Sequence, residues 1–182
     1  QIPLVRTTTH FSVPINLREE VTSEHIHSFV HAVASGALAN VKTLDLGNLS
    51  IGNVGMSSLS TALANGALAS VEYLDLDRNL IEYDGLVSFA DACVKGAMAN
   101  LKALNLNDNQ ISDLGMSYLS EEAVAKGFMA KLEKLFLESN EIEGMFSESL
   151  ANGSMANLKT LNLSYNKIGD VGMSSLSTAL AR

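Results

Sequence analysis

The sequence predicts an α/β solenoid, in which a short strand, a turn, a helix and a return loop make one coil and the coils stack along the chain. Three observations carry this. First, the stretch LKALNLNDNQISDLG, Leu101 to Gly115, is one of five close copies, beginning at Val41, Val71, Leu101, Leu132 and Leu158 with periods of 30, 30, 31 and 26. Self-similarity at such a period is the signature of stacked repeats. Second, leucines alternate at the fourth and sixth places of every copy, as Leu44 and Leu46, Leu74 and Leu76, Leu104 and Leu106, Leu135 and Leu137, Leu161 and Leu163. Alternation puts them on one face of a strand. Third, each strand motif is followed by apolar residues at helical spacing, such as Met56, Leu59 and Leu63, or Leu86, Phe89 and Cys93, or Met173, Leu176 and Leu180.

Residues 1–40 hold no clean copy and are read as a degenerate N-terminal capping repeat, because terminal repeats are atypical. Val13, Ile15 and Leu17 alternate as a half-buried strand, and Pro14 suits an edge strand. A helix follows, with Ser23 as its N-cap, Glu24 in the first turn, and Ile26, Phe29, Val30 and Val33 as its inner stripe until Gly36 ends it.

Residues 41–182 form the five regular repeats. The ninth place holds Asn79, Asn109, Asn140 and Asn166. A buried amide there bonds backbone groups freed where the strand turns away, and stacking makes a ladder. On that basis Asn109→Leu costs roughly 1 to 3 kcal/mol. The first copy has Leu49 instead, which predicts a locally different turn. Ile51, Ile81, Ile111, Ile142 and Ile168 point inward two places on. Asn53, Asp113 and Asp170 are suited to cap the helices, and Gly66, Gly96, Gly127 and Gly153 to close them. Leu68, Met98, Met129 and Met155 then return to the core.

These motifs, LKALNLNDNQI followed by DLGMSYL, resemble the ribonuclease-inhibitor class of leucine-rich repeats, well over 41–182 and loosely over 11–40. The resemblance implies a horseshoe arc with a concave parallel β-sheet, convex helices and a protein-recognition surface. The inhibitor itself is cysteine-rich and alternates two repeat lengths, whereas this chain has one cysteine and a nearly uniform period. The class includes Ran GTPase-activating proteins and sensor regions of innate immune receptors, and no activity-bearing motif of either matches here. Extracellular members carry cysteine-rich caps, so the single Cys93 points to an intracellular location, cytoplasmic or organellar after removal of a leader. Cys93 itself reads as a core filler. Sequons at Asn48, Asn152 and Asn162 arise readily in a chain rich in Asn, Ser and Gly.

Charge narrows the function. The 182 residues carry a net charge of −8, which disfavours a nucleic-acid partner and permits a basic protein. No apolar run reaches the roughly 18 residues of a transmembrane segment. On the exposed sheet face the fifth-place column is Asp45, Asp75, Asn105, Phe136, Asn162, and the seventh-place column is Gly47, Asp77, Asn107, Glu138, Ser164. With Asp108 and Tyr165 beside them, these residues form a candidate concave site for a basic protein. The alternative is that they only keep a sheet face solvated. The second-place column, Lys42, Glu72, Lys102, Glu133, Lys159, alternates in sign and reads as register control.

Glu24, His27 and His31 share helical spacing, but the apolar stripe beside them makes surface histidines the plainer reading, and no metal or cofactor is expected. The fourth repeat is short, with Ile142 and Gly144 only two apart, so its helix around Met145 to Leu150 is clipped and Phe136 or Phe146 is exposed there. After the fifth repeat no cap follows before Arg182, leaving Leu161, Leu163, Met173 and Leu176 as a raw apolar face that further repeats, self-association or a partner would cover. Ser57, Ser58, Ser60 and Thr61, with Ser174, Ser175, Ser177 and Thr178, make an uncharged convex side. The leading reading is a non-enzymatic protein–protein interaction or scaffold module, a subunit of an assembly or a fragment of a longer receptor-like chain. The alternative is a GTPase-activating or other enzyme-modulating repeat protein.

Overall fold

The computed structural model describes residues 5–6, 9–12, 22–126, 128–144 and 157–180. Strands and helices alternate along it: β1 (Val5–Arg6), β2 (His10–Ser12), α1 (Ser23–Ala34), β3 (Thr43–Asp45), α2 (Gly52–Ala64), β4 (Tyr73–Asp75), α3 (Tyr83–Val94), β5 (Ala103–Asn105), α4 (Asp113–Lys126), a 3₁₀ turn (Phe128–Lys131), β6 (Lys134–Phe136), β7 (Thr160–Asn162) and α5 (Asp170–Leu180). The strands form one seven-stranded sheet in sequence order. β2 to β7 are parallel, and β1 pairs antiparallel with β2. α1 to α4 pack on one another in the same order. The result is an open α/β solenoid arc.

Register brings Phe11, Leu44, Leu74, Leu104, Leu135 and Leu161 side by side. The first five are buried, joined in the core by the sixth-place leucines 46, 76, 106 and 137 and by Ile81, Ile111 and Ile142. Phe11, at the head of this column, also packs on Phe29 of α1 with ring centroids 5.3 Å apart. The strand expected at Val13, Ile15 and Leu17 lies outside the described residues, and the described strand is the three residues before it.

The amide ladder has a direction that the sequence does not show. Asn79 Oδ1 accepts from the N–H groups of Leu49 (3.1 Å) and Ile51 (3.2 Å), both in the preceding coil, while its Nδ2 donates to the Leu46 carbonyl at 2.8 Å. Asn109 treats Asn79 and Ile81 in the same way, and Asn140 and Asn166 accept from Ile111 and Ile142. Each asparagine therefore bonds the turn of the coil before it. This corrects the expectation for Leu49: its turn is held by Asn79, and Asn48 adopts φ 55 where Arg78 adopts 51 and Asp108 adopts 49. The backbone is the common one because the stabilising amide belongs to the neighbour.

Several caps also differ from expectation. Thr22, not Ser23, caps α1, and its N–H donates to His25 Nδ1 at 3.2 Å, so an imidazole fills the role usually taken by glutamate in a capping box. Asn53 and Asp113 lie inside their own helices and reach the next coil instead. Asn53 Oδ1 accepts from Glu82 N (3.0 Å) and Gly85 N (3.1 Å), at the start of α3. The Asp113 carboxylate accepts from Glu143 N (2.7 Å) and Gly144 N (3.0 Å). Gly66 and Gly96 close α2 and α3 with φ of 85 and 98, and Leu68 and Met98 then turn inward, themselves left-handed and fully buried. Gly127, Gly153, Met155 and the clipped helix around Met145 to Leu150 lie outside the described residues. Ser60 was expected on the outer side and is instead 4% exposed.

Candidate functional site

The outer face of the sheet is polar because strand alternation that buries the leucines turns the odd places out. Its fifth-place side chains have a local duty. Asp45, Asp75, Asn105 and Asn162 each accept from the N–H two residues ahead, at Gly47, Asp77, Asn107 and Ser164, with distances of 3.0, 3.0, 3.1 and 3.0 Å. Such Asx turns end each strand with its donor satisfied. Phe136 cannot do this. The Glu138 N–H turns to Asn107 Oδ1 of the preceding coil, at 2.7 Å. Phe136 is half-buried between Asn105 and Asn162, its strand neighbours. Phe146 lies outside the described residues.

Further bonds knit the columns. Asn105 Nδ2 donates to Asp75 Oδ1 at 3.0 Å and Asn162 Nδ2 to Glu138 Oε2 at 2.8 Å. The Tyr73 hydroxyl donates to Asp75 Oδ2 at 3.0 Å. Burial, then the Asp75 carboxylate, pushes the Tyr73 hydroxyl up to about 12. Tyr73 was missed in the sequence although the third place faces out by the same alternation. Arg78 bridges Asp77 Oδ2 (3.2 Å) and Asp108 Oδ2 (3.3 Å). Burial raises the Asp77 carboxyl, Arg78 pulls it down, and Asp108 and Asp75 push it up again. The predicted residues Asp75, Asp77, Asn105, Asn107 and Asp108 thus form one connected patch, with Asp45 at one end and Phe136, Glu138 and Asn162 at the other. Tyr165, 82% exposed, stands apart at the last coil.

The second-place column, read from its alternating signs as register control, forms ion pairs between successive coils. Glu72 meets Lys42 at 3.0 Å and Lys102 at 2.6 Å, and Glu133 meets Lys159 at 2.9 Å. The Lys102 ammonium, with Lys42, holds the Glu72 carboxyl down at about 2. On α1, Glu24, His27 and His31 are exposed, and no group of His, Cys, Asp or Glu among the described residues is placed to hold a metal ion.

At the C-terminal end, Leu158, Leu161, Leu163, Ile168 and Met173 line an open groove of about 730 Å³. Met173 is 56% exposed, whereas Leu176, expected there as bare, is 5% exposed because it turns in toward the core. No helix among the described residues is long and apolar enough to cross a membrane.

Residues 97–120 and 154–177 each match the model of a leucine-rich repeat. Both segments lie in coils with the strand register and amide ladder above. The fold is that of a leucine-rich repeat solenoid. No curated protein matches its sequence. Among 55 matching chains of solved structures, the solenoid superimposes on "Leiomodin-1 Actin-Binding Site 2 (ABS2)" with a TM-score of 0.64 and 15% identity, over 88% of this chain and 89% of that one. An internalin from Listeria monocytogenes aligns with 17% identity over 93% of this chain and 71% of that one, at a TM-score of 0.24. The first likeness is one of fold.

Proposed function

We propose that this solenoid is a non-enzymatic protein-interaction module of the ribonuclease-inhibitor-like class, receiving a basic segment of a partner protein on its concave sheet. The observation that carries the reading is the continuity of carboxylates across adjoining strands: Asp45, Asp75, Asp77, Asp108 and Glu138 rise from four successive coils, and Arg78 is bonded between two of them. Clustered charge of one sign on an open wall attracts and orients a cationic partner. Phe136 supplies an apolar contact at the end of that wall. A neighbour in fold whose name denotes an actin-binding site supports a protein as the class of ligand. Cys93, buried and with its thiol pushed up by burial, fits an intracellular, reducing location.

The test is titration of an arginine- and lysine-rich decapeptide into the solenoid, followed by amide chemical shifts. Binding is expected at low salt, centred on Asp75, Asp77 and Asp108, and it should weaken steeply as salt screens the charges. Asp75→Asn with Asp77→Asn and Asp108→Asn should abolish it. Asparagine at position 75 keeps the oxygen that accepts from the Asp77 N–H, so the strand end stays intact. Equal affinity before and after the triple change, or no shifts at all, refutes the reading.

A further inference from the structure

The large apolar side chains that reach solvent among the described residues are not scattered. Val54, Leu80, Tyr83 and Leu114 are 76%, 53%, 37% and 64% exposed, and all four lie at the tenth to fourteenth places of their coils, where a strand has ended and a helix begins. Tyr165, Val171 and Met173 belong to the last coil. The first four lie in coils 1 to 3, each stacked between two other layers of this chain, so no coil added at either end would cover them.

Loop geometry alone does not produce this. On the opposite rim, where α2 and α3 end and the chain returns to the sheet, Asn65, Ala69, Ala99 and Asn100 face water while Leu68 and Met98 are buried. In the other coils the tenth place holds Ser50, Gln110, Glu141 and Lys167, so the core makes no demand for Leu80 there. The rim is also held in shape. Asn53 ties the start of α2 to Glu82 and Gly85 of the next coil, and Asp113 ties the start of α4 to Glu143 and Gly144. A surface ordered beforehand loses less entropy when it is bound.

Charge says what fits. The tenth to fourteenth places of coils 1 to 4 carry Glu82, Asp84, Asp113, Glu141 and Glu143, and no lysine or arginine. Lys167 of coil 5 meets Glu141 at 3.5 Å, and Glu82 and Asp113 accept hydrogen bonds within the rim. The Asp84 and Glu143 side chains are exposed and have no ion pair among the described residues. Apolar side chains beside uncompensated carboxylates suit a ligand that brings both apolar and cationic groups, and they repel an anionic lipid surface. Adjacent strands stand about 4.8 Å apart and packed helices about 8–10 Å, so rim positions one coil apart are separated by roughly 5–10 Å. A helix advances about 5.4 Å per turn, so one laid along the rim brings a residue of its apolar stripe to each coil in succession.

We propose that the strand-to-helix rim of coils 1 to 3 is a docking surface for a basic amphipathic helix of a partner protein. Its apolar stripe lies on Val54, Leu80, Tyr83 and Leu114, and its flanking lysines or arginines meet Asp84 and Glu143. The inference does not rest on the concave reading, since Asp75, Asp77 and Asp108 take no part in it.

The probe is a Leu/Lys/Ala helix peptide of about 18 residues with leucines at i, i+4, i+7 and i+11. Affinity is read by fluorescence anisotropy and the site by amide chemical shifts, which are expected at residues 53–54, 80–84 and 113–115. Leu80→Gln with Leu114→Gln should weaken binding by at least about tenfold, as loss of buried apolar anchors does. Gln110 already fills the tenth place of coil 3, so the double variant should melt with the parent. A peptide of the same composition with its leucines spread round the helix should bind as weakly as the peptide does to that variant. The change of Asp75, Asp77 and Asp108 to asparagine should leave the difference between the two peptides in place. Absence of binding, equal binding of the two peptides, or full affinity in the double variant overturns the proposal. Shifts confined to Asp75, Asp77 and Asp108 overturn it too, and leave the concave reading standing.

Discussion

Replacing Asn109 by leucine tests the element on which the stacking depends. The side chain is 6% exposed. Its oxygen accepts from Asn79 N at 3.1 Å and Ile81 N at 2.9 Å, and its Nδ2 donates to the carbonyls of Leu76, Leu106 and Asn107 at 3.0, 3.1 and 2.9 Å. Leucine has nearly the same shape and makes none of these bonds. Two N–H groups are left buried and unpaired, at about 1–2 kcal/mol each, against roughly 1 kcal/mol regained by burying a more apolar side chain. The net loss is about 1–3 kcal/mol, read as a shift of the urea midpoint followed by far-UV circular dichroism. Asn166→Leu should cost less, because Asn166 is only half-buried and takes a single N–H, that of Ile142. A change below about 0.5 kcal/mol for Asn109→Leu, or a larger cost at Asn166 than at Asn109, would refute the reasoning.

Three further outcomes are expected. The Ser60 hydroxyl is buried with no hydrogen-bond partner among the described residues, so Ser60→Ala should raise stability by roughly 0.5–1 kcal/mol, and a loss in urea denaturation would show that the hydroxyl is satisfied. The Glu72 carboxyl lies at about 2 in the folded chain against an ordinary 4.5, so its contribution is present above the ordinary value and is lost as pH falls toward 2. The melting temperature of the parent should therefore drop toward that of Glu72→Gln between those pH values, and parallel curves would contradict a stabilising role for the Lys42–Glu72–Lys102 pairs. A Cβ at Gly172 would collide with the Glu143 carbonyl, so Gly172→Ala should loosen α5 and destabilise the last coil by about 1–3 kcal/mol, seen as faster hydrogen exchange confined to residues 158–180.

Much of the fold was legible because a repeat writes each structural position several times over. The leucine columns, the inward isoleucines, the glycine helix ends at 66 and 96 and the alternating lysines and glutamates all lie where period and alternation put them. Among the candidate concave residues, Asp75, Asp77, Asn105, Asn107 and Asp108 are linked by hydrogen bonds and by the ion pairs of Arg78. What was illegible is how much of their hydrogen-bonding capacity is already used. Asp75 serves Asp77, Asn105 and Tyr73 at once, and Asn107 reaches forward to replace the acceptor that Phe136 lacks.

By itself the sequence determined the content of one coil: which residues enter the core, which face out, and where strand gives way to helix. Only the tertiary structure decided what each coil does to its neighbour. Asn79 holds the turn of Leu49, Asn53 caps the start of α3, and Asp113 takes the N–H groups of Glu143 and Gly144. The physical reason is distance. Adjacent strands stand about 4.8 Å apart, so a short polar side chain reaches backbone roughly 30 residues away in sequence as easily as its own. Periodicity along one chain records the place of a residue within its coil, while the identity of its partner depends on how the coils are offset when they stack.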